Sequence, residues 1–76
     1  SVLDRLSADD LLACVAQLPP GYRTVFNLYA IEGYTHSEIA EMLHVQEATS
    51  RSQFIRARNA LQKREQSLIR HENAGR

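Results

Sequence analysis

The chain has 76 residues, 43% of them hydrophobic and 24% charged, with nine basic side chains against nine acidic ones. That length holds one small domain around one core and excludes a second, and the composition is that of a globular chain rather than a disordered one. No apolar run is long enough to cross a membrane and no basic stretch followed by an apolar segment marks a secretory signal, so a cytoplasmic protein with no membrane partner is expected. The first residue is Ser1 rather than Met, and a fragment of a longer protein is expected from that.

Apolar residues recur at helical spacing and no useful strand-type alternation appears, which predicts an all-α domain of four helices over residues 1–76. The first starts after Ser7, whose hydroxyl can cap free amides while Asp10 completes a capping-box-like pair, and carries Leu11, Leu12, Val15 and Leu18. Pro19 and Pro20 stop it, and Pro20 suits the first turn of a second helix whose inner side holds Val25, Phe26, Leu28 and Tyr29. Gly33 is placed to close that helix with a left-handed cap. Thr35 and Glu38 form a clearer capping box opening a short third helix, with Ile39, Ala40 and Leu43 as its apolar stripe. After His44, Val45 and Gln46 a longer helix runs from about Glu47 to Glu65 or beyond, and the tail 70–76 is expected to fray.

Zero net charge hides an asymmetry. Residues 1–47 carry two basic side chains, Arg5 and Arg23, against seven acidic ones, a net of minus five. Residues 48–76 carry seven basic side chains against Glu65 and Glu72, a net of plus five. Phosphate attraction is local, acting within about one Debye length of ~8 Å, so a basic final helix can bind a polyanion although the whole chain is neutral. A helix face solvated for solubility alone accounts for the same charges equally well.

Metal and cofactor chemistry find no support. Cys14 sits alone in an apolar helical pattern and reads as core, while His36, His44 and His71 have neither partner cysteines nor metal-type spacing. Thr49 and Ser50 have no base and orienting acid beside them in sequence, so no catalytic residue, no cofactor and no enzymatic activity are expected.

A short helix, a tight turn with an inward apolar residue and a longer basic helix form the layout of a helix-turn-helix, here about residues 35–64. Ala40 permits close helix crossing, Val45 is expected to plug the turn into the core, and Phe54, Ala57 and Leu61 continue the inward stripe of the last helix. Phe26, Tyr29 and Ile39 read as core as well. The opposite side carries Ser52, Ile55, Arg56, Asn59 and Lys63, with Arg51 and Arg58 on a flank. In a major groove Arg51, Ser52, Gln53 and Arg56 are the types that pair with base edges and phosphates, and Thr49 near the helix start can hold a phosphate with help from backbone amides. Arg58 is as well placed for an ion pair with Glu38 or Glu41, and Tyr34 either staples the third helix or faces a protein partner.

The stretch from Leu18 to Leu61 resembles the fourth conserved region of sigma factors, especially the extracytoplasmic-function class. The resemblance rests on Leu18-Pro19 with Arg23 and apolar residues, then Glu38-Ile39-Ala40, then the Thr49 turn leading into Arg56-Ala57-Arg58. It implies recognition of the upstream (minus 35) promoter element by the last helix and docking on the β-subunit flap of RNA polymerase, in a domain that is monomeric when isolated. Matching positions imply Arg51, Ser52, Ile55 and Arg56 as groove or backbone contacts, with Thr49 near phosphate. Four positions depart from the family pattern: His44 replaces a turn glycine, Gln46 a capping Ser or Thr, Ser50 an inward apolar residue and Gln53 a basic one. These predict a left-handed non-glycine residue or a reshaped turn, and altered phosphate affinity or base choice.

Two other readings fit the residues less well. One is the output domain of a LuxR-type response regulator, which dimerises on DNA. The other is a protein-binding helical module whose acidic first half or exposed apolar residues take an anti-sigma factor or similar partner.

Overall fold

The computed structural model describes residues 7–74, with side chains through Arg64. Four α-helices follow one another: α1 (Ala8–Ala16), α2 (Pro20–Phe26), α3 (His36–Leu43) and α4 (Glu47–Ala74). No strand occurs among the described residues, so the domain is all-α with a helix-turn-helix.

Ser7 caps α1 by accepting the Asp10 amide at 3.1 Å. Only this half of the expected pair is made. The other end of α1 is tied to α2, because Arg23 donates from Nη1 to the Ala16 carbonyl at 3.1 Å, satisfying an orphan acceptor of the last turn. Pro20 occupies the first turn of α2 without losing a bond, and the Pro19 carbonyl accepts the Arg23 amide at 2.9 Å.

Beyond Phe26 the helix widens into a π-helical segment, Asn27–Ile31, closed by the Glu32 amide on the Asn27 carbonyl at 3.0 Å. Nothing in the apolar spacing predicted this turn. It places Tyr29 against α3 and α4 instead of inside the core: Tyr29 keeps 38% of its surface exposed while its ring stacks on His36. Gly33, at φ +80°, then reverses the chain as a left-handed cap, and the Tyr34 amide reaches back to the Leu28 carbonyl at 2.9 Å.

The core joins α1 and α2 to the middle of α4 through Cys14, Val15, Leu18, Phe26, Ala57 and Leu61, with Phe54 packed against them. Ile39, fully buried, fastens α3. Each such large apolar side chain stabilises the fold by roughly 1.5–3 kcal/mol relative to exposure. Leu12, expected inward, is 55% exposed; α1 has only nine residues, its inward stripe is taken by Leu11, Cys14 and Val15, and Leu18 packs beside them from just beyond its end.

Helix α4 extends through Ala74 and so includes part of the tail, 70–76, for which fraying was expected. Its sequence holds neither Gly nor Pro before Gly75, so nothing stops propagation once the packed part has nucleated it. Residues 75–76 of the expected tail lie outside the described residues.

Candidate nucleic-acid interface

The turn between α3 and α4 is built without glycine. His44 takes the left-handed conformation at φ 56°, ψ 45°, which ends α3 and lets the Val45 amide bond the Ala40 carbonyl at 3.0 Å. The expectation of a left-handed non-glycine residue holds. Val45 does not plug the core: it is 39% exposed and lines a cavity of about 320 Å³ together with Val25, Leu43 and Gln53. The reach from a turn to the core shrinks when the residue before it has already reversed the chain.

At the start of α3, Thr35 accepts the Glu38 amide at 3.1 Å and the Glu38 carboxylate accepts the Thr35 amide at 3.0 Å, completing the predicted capping box. The Thr35 amide, first, and then the Thr35 hydroxyl beside the carboxylate hold the Glu38 carboxyl below its ordinary range. Tyr34 is 40% exposed and lines a shallow cavity with Glu38, Glu41 and Met42.

Along α4, at about 100° per residue, Ser50, Phe54, Ala57 and Leu61 fall on one stripe, and these residues are buried or half-buried. Ser52, Ile55, Asn59 and Lys63 fall opposite, and all are exposed. Arg56 lies on one flank of that outer face and Arg51 with Arg58 on the other, again exposed. Ile55, at 56% exposure, is the apolar member of the face. Six of the eight side chains expected at the interface are therefore exposed, while Thr49 at the first turn and Gln53 are half-buried.

The amides of Thr49 and Ser50 both go to the Gln46 carbonyl, at 3.0 and 3.2 Å. Thr49 thus has its hydroxyl, not its own amide, to offer a phosphate. Gln53 departs further from expectation. It is half-buried, its Oε1 is buried without a hydrogen-bond partner, and it packs so closely on α2 that a Cβ at Gly21 would lie 3.0 Å from that oxygen. A carboxamide sits between α2 and α4 here, at the edge of the outer face.

Two charge contacts also differ from expectation. Arg58 makes no ion pair with Glu38 or Glu41 among the described residues, because it points outward from α4. Arg51 instead bonds Glu47 one turn earlier at 3.1 Å, with both side chains about half exposed. An exposed pair of this kind is worth roughly 0.3–0.5 kcal/mol, so a phosphate can displace Glu47 readily. Sequence reasoning missed this neighbour although its i, i+4 spacing was legible.

Sequence reasoning also left the polar contact between the two helices unread. Ser50 is fully buried, and its hydroxyl lies 2.8 Å from His36 Nδ1. The His36 ring stacks on Tyr29 at 4.1 Å and meets Phe54 edge-on at 5.9 Å. Burial lowers the His36 pKa from its ordinary 6.5, helped by Arg51 and opposed by Glu47.

No group of residues able to hold a metal ion occurs among the described residues, and no described helix is long and apolar enough to cross a membrane. In comparisons with known proteins, no curated protein and no solved structure matches the chain. The family described as Sigma-70, region 4 matches residues 8–61. That match runs from the first residue of α1 to Leu61, and so covers α1, α2, α3 and the part of α4 that is packed in the core. The chain belongs to the sigma-70 region 4 family, the helix-turn-helix DNA-binding domain of sigma factors.

Proposed function

We propose that the outer face of α4 reads the upstream (minus 35) element of a promoter, as the recognition module of a sigma factor of the extracytoplasmic-function class. The observation that carries this reading is the placement of Arg51, Ser52, Ile55, Arg56, Asn59 and Lys63 on exposed sides of α4 while Ser50, Phe54, Ala57 and Leu61 hold its other side against the fold. A helix seated this way can enter a major groove without disturbing the core.

Arg51 and Ser52, nearest the helix start, and Arg56 one turn on, contact base edges and the flanking backbone. Ile55 meets a thymine methyl or sugar, Asn59 and Lys63 follow the backbone, and Thr49 offers its hydroxyl to a phosphate. Gln53, with its oxygen turned to Gly21, borders the contact. The domain acts as a binding module, not as an enzyme, and as a monomer in the cytoplasm.

Few phosphates are neutralised by so small a face, so affinity for DNA alone is weak, and docking on the polymerase β flap supplies the effective concentration. The half-exposed Tyr34 and Met42 beside Glu38 and Glu41 favour a protein contact on the α3 side, by polymerase or an anti-sigma factor, which is compatible with DNA on α4.

Fluorescence anisotropy with a duplex recovered from a randomised pool tests the assignment. Arg56→Ala is expected to weaken binding about 5- to 100-fold, the equivalent of roughly 1–3 kcal/mol for a lost bidentate contact, and to leave the helical circular dichroism unchanged. Equal affinity of two folded proteins would remove Arg56 from the interface.

A further inference from the structure

Ser50 interrupts the apolar stripe of α4 with a hydroxyl that has no exposed surface. The group it meets, His36 Nδ1 at 2.8 Å, belongs to the first residue of α3. The imidazole is in turn clamped by Tyr29 of the π-helical segment, parallel to it within 8°, and by the edge of Phe54 from α4. Three elements therefore converge on one ring, directly beneath the first turn of α4. That turn has weak determinants of its own: His44 reverses the chain without the conformational ease of glycine, and Gln46 lacks the short oxygen-bearing side chain that caps helices best.

We infer that His36 and Ser50 are positioning residues for DNA binding: their hydrogen bond fixes the rotation and height of the first turn of α4, hence the aim of Thr49, Arg51 and Ser52, and protonation of His36, by reversing the polarity of that bond, disturbs the aim. This rests on the reading of α4 as the recognition helix. In the neutral tautomer with its proton on Nε2, Nδ1 accepts the Ser50 hydroxyl proton. Protonation makes Nδ1 a donor, so the Ser50 oxygen must become the acceptor and its own proton must turn to another acceptor.

The added charge is also badly placed. It sits on the first residue of α3, where the helix dipole is positive. The groups facing the ring are Tyr29 from the π-helical segment and Arg51 and Glu47 from α4, with Glu38 two residues on in α3 itself. Glu47 favours the charge but is half-exposed and shared with Arg51, and the Glu38 carboxylate is engaged by the Thr35 amide. Burial and Arg51 accordingly hold the His36 pKa below its ordinary value.

The test compares the wild type with His36→Asn, which keeps a side-chain amide near the Nδ1 position but does not titrate, and with Ser50→Ala, which removes the partner. Affinity for the pool-selected duplex is measured by anisotropy at about pH 7.5 and about pH 5.5, across the range where imidazoles titrate. The expected result is a several-fold loss of wild-type affinity on acidification, a flat or rising profile for His36→Asn, and weak binding by Ser50→Ala at both values. In the DNA-free wild type, the amide resonances of residues 47–53 should shift along the titration curve of the His36 ring, and in Ser50→Ala they should not.

Superimposable pH profiles for a wild type and a His36→Asn variant that both bind DNA would overturn the positioning role and leave the DNA-binding reading standing. A wild type that binds no duplex at neutral pH would overturn both, even if the residue 47–53 amides follow the ring.

Discussion

His44 shows how one residue sets a local balance. A left-handed conformation at a residue with a Cβ costs roughly 1–2 kcal/mol, and His44 adopts it at φ 56° because the turn into α4 demands a reversal there. The glycine that the family pattern carries at this place would relieve that strain at some expense in unfolded-chain entropy. His44→Gly is therefore expected to stabilise the domain by about 1 kcal/mol, which in a chain of this size raises Tm by about 4–8 °C. A thermal melt decides it, and a lowered Tm would mean that the His44 side chain makes a contact the turn depends on. His36 works in the opposite direction. Its folded pKa lies below the ordinary 6.5, so the unfolded chain takes up a proton more readily than the folded one. Stability should be full above about pH 6.5, fall as the pH drops through that value, and level off below the folded pKa. Urea midpoints across that range should show the decline in the wild type and lose most of it in His36→Phe, which retains an aromatic ring against Tyr29.

Element boundaries were largely legible because the residues that set them act locally. Ser7, Pro20, Gly33 and the Thr35–Glu38 pair bring their own hydrogen bonds or backbone preferences, and each sits where sequence spacing put it. Thr35→Ala should accordingly cost about 1 kcal/mol, read as a lowered urea midpoint. Because the Glu38 carboxyl is held below its ordinary range by Thr35, the stability it confers is present above the unfolded carboxyl pKa and lost as the pH falls through the folded one. The Thr35→Ala variant should therefore show a shallower acid decline than the wild type. What was not legible depends on packing between elements. The π-helical turn at Asn27–Ile31 moves Tyr29 out of the expected core and onto His36, and periodicity of ~3.6 residues has no sign for an extra residue in a turn. Val45 and Leu12 were placed inside from hydrophobicity alone, although exposed single apolar residues are ordinary. Arg58 and Gln53 were placed from a helical wheel, which gives the side but not the partner: the first points outward unpaired with α3, the second lies against Gly21.

At the scale of the whole molecule, the separation of charge along the chain becomes a separation in function. Acidic residues 1–47 supply α1 to α3, the scaffold that holds α4 through Ile39, Phe26, Val15 and Leu18. Of the basic residues in 48–76, Arg51, Arg56, Arg58, Lys63 and Arg64 are exposed along α4, away from the buried stripe. A domain arranged in this way should bind DNA in a salt-dependent manner with a shallow slope, since the slope counts only the few phosphates that Arg51, Arg56, Lys63 and their neighbours neutralise. Amide shifts of the domain titrated with the pool-selected duplex, at low and then at higher salt, test the assignment of α4 most directly. Shifts centred on residues 49–59, smaller at higher salt and larger with the selected duplex than with a scrambled one, are the predicted result. Shifts centred on α1 or on Tyr34 to Met42, or equal shifts with both duplexes, would contradict promoter recognition by the outer face of α4.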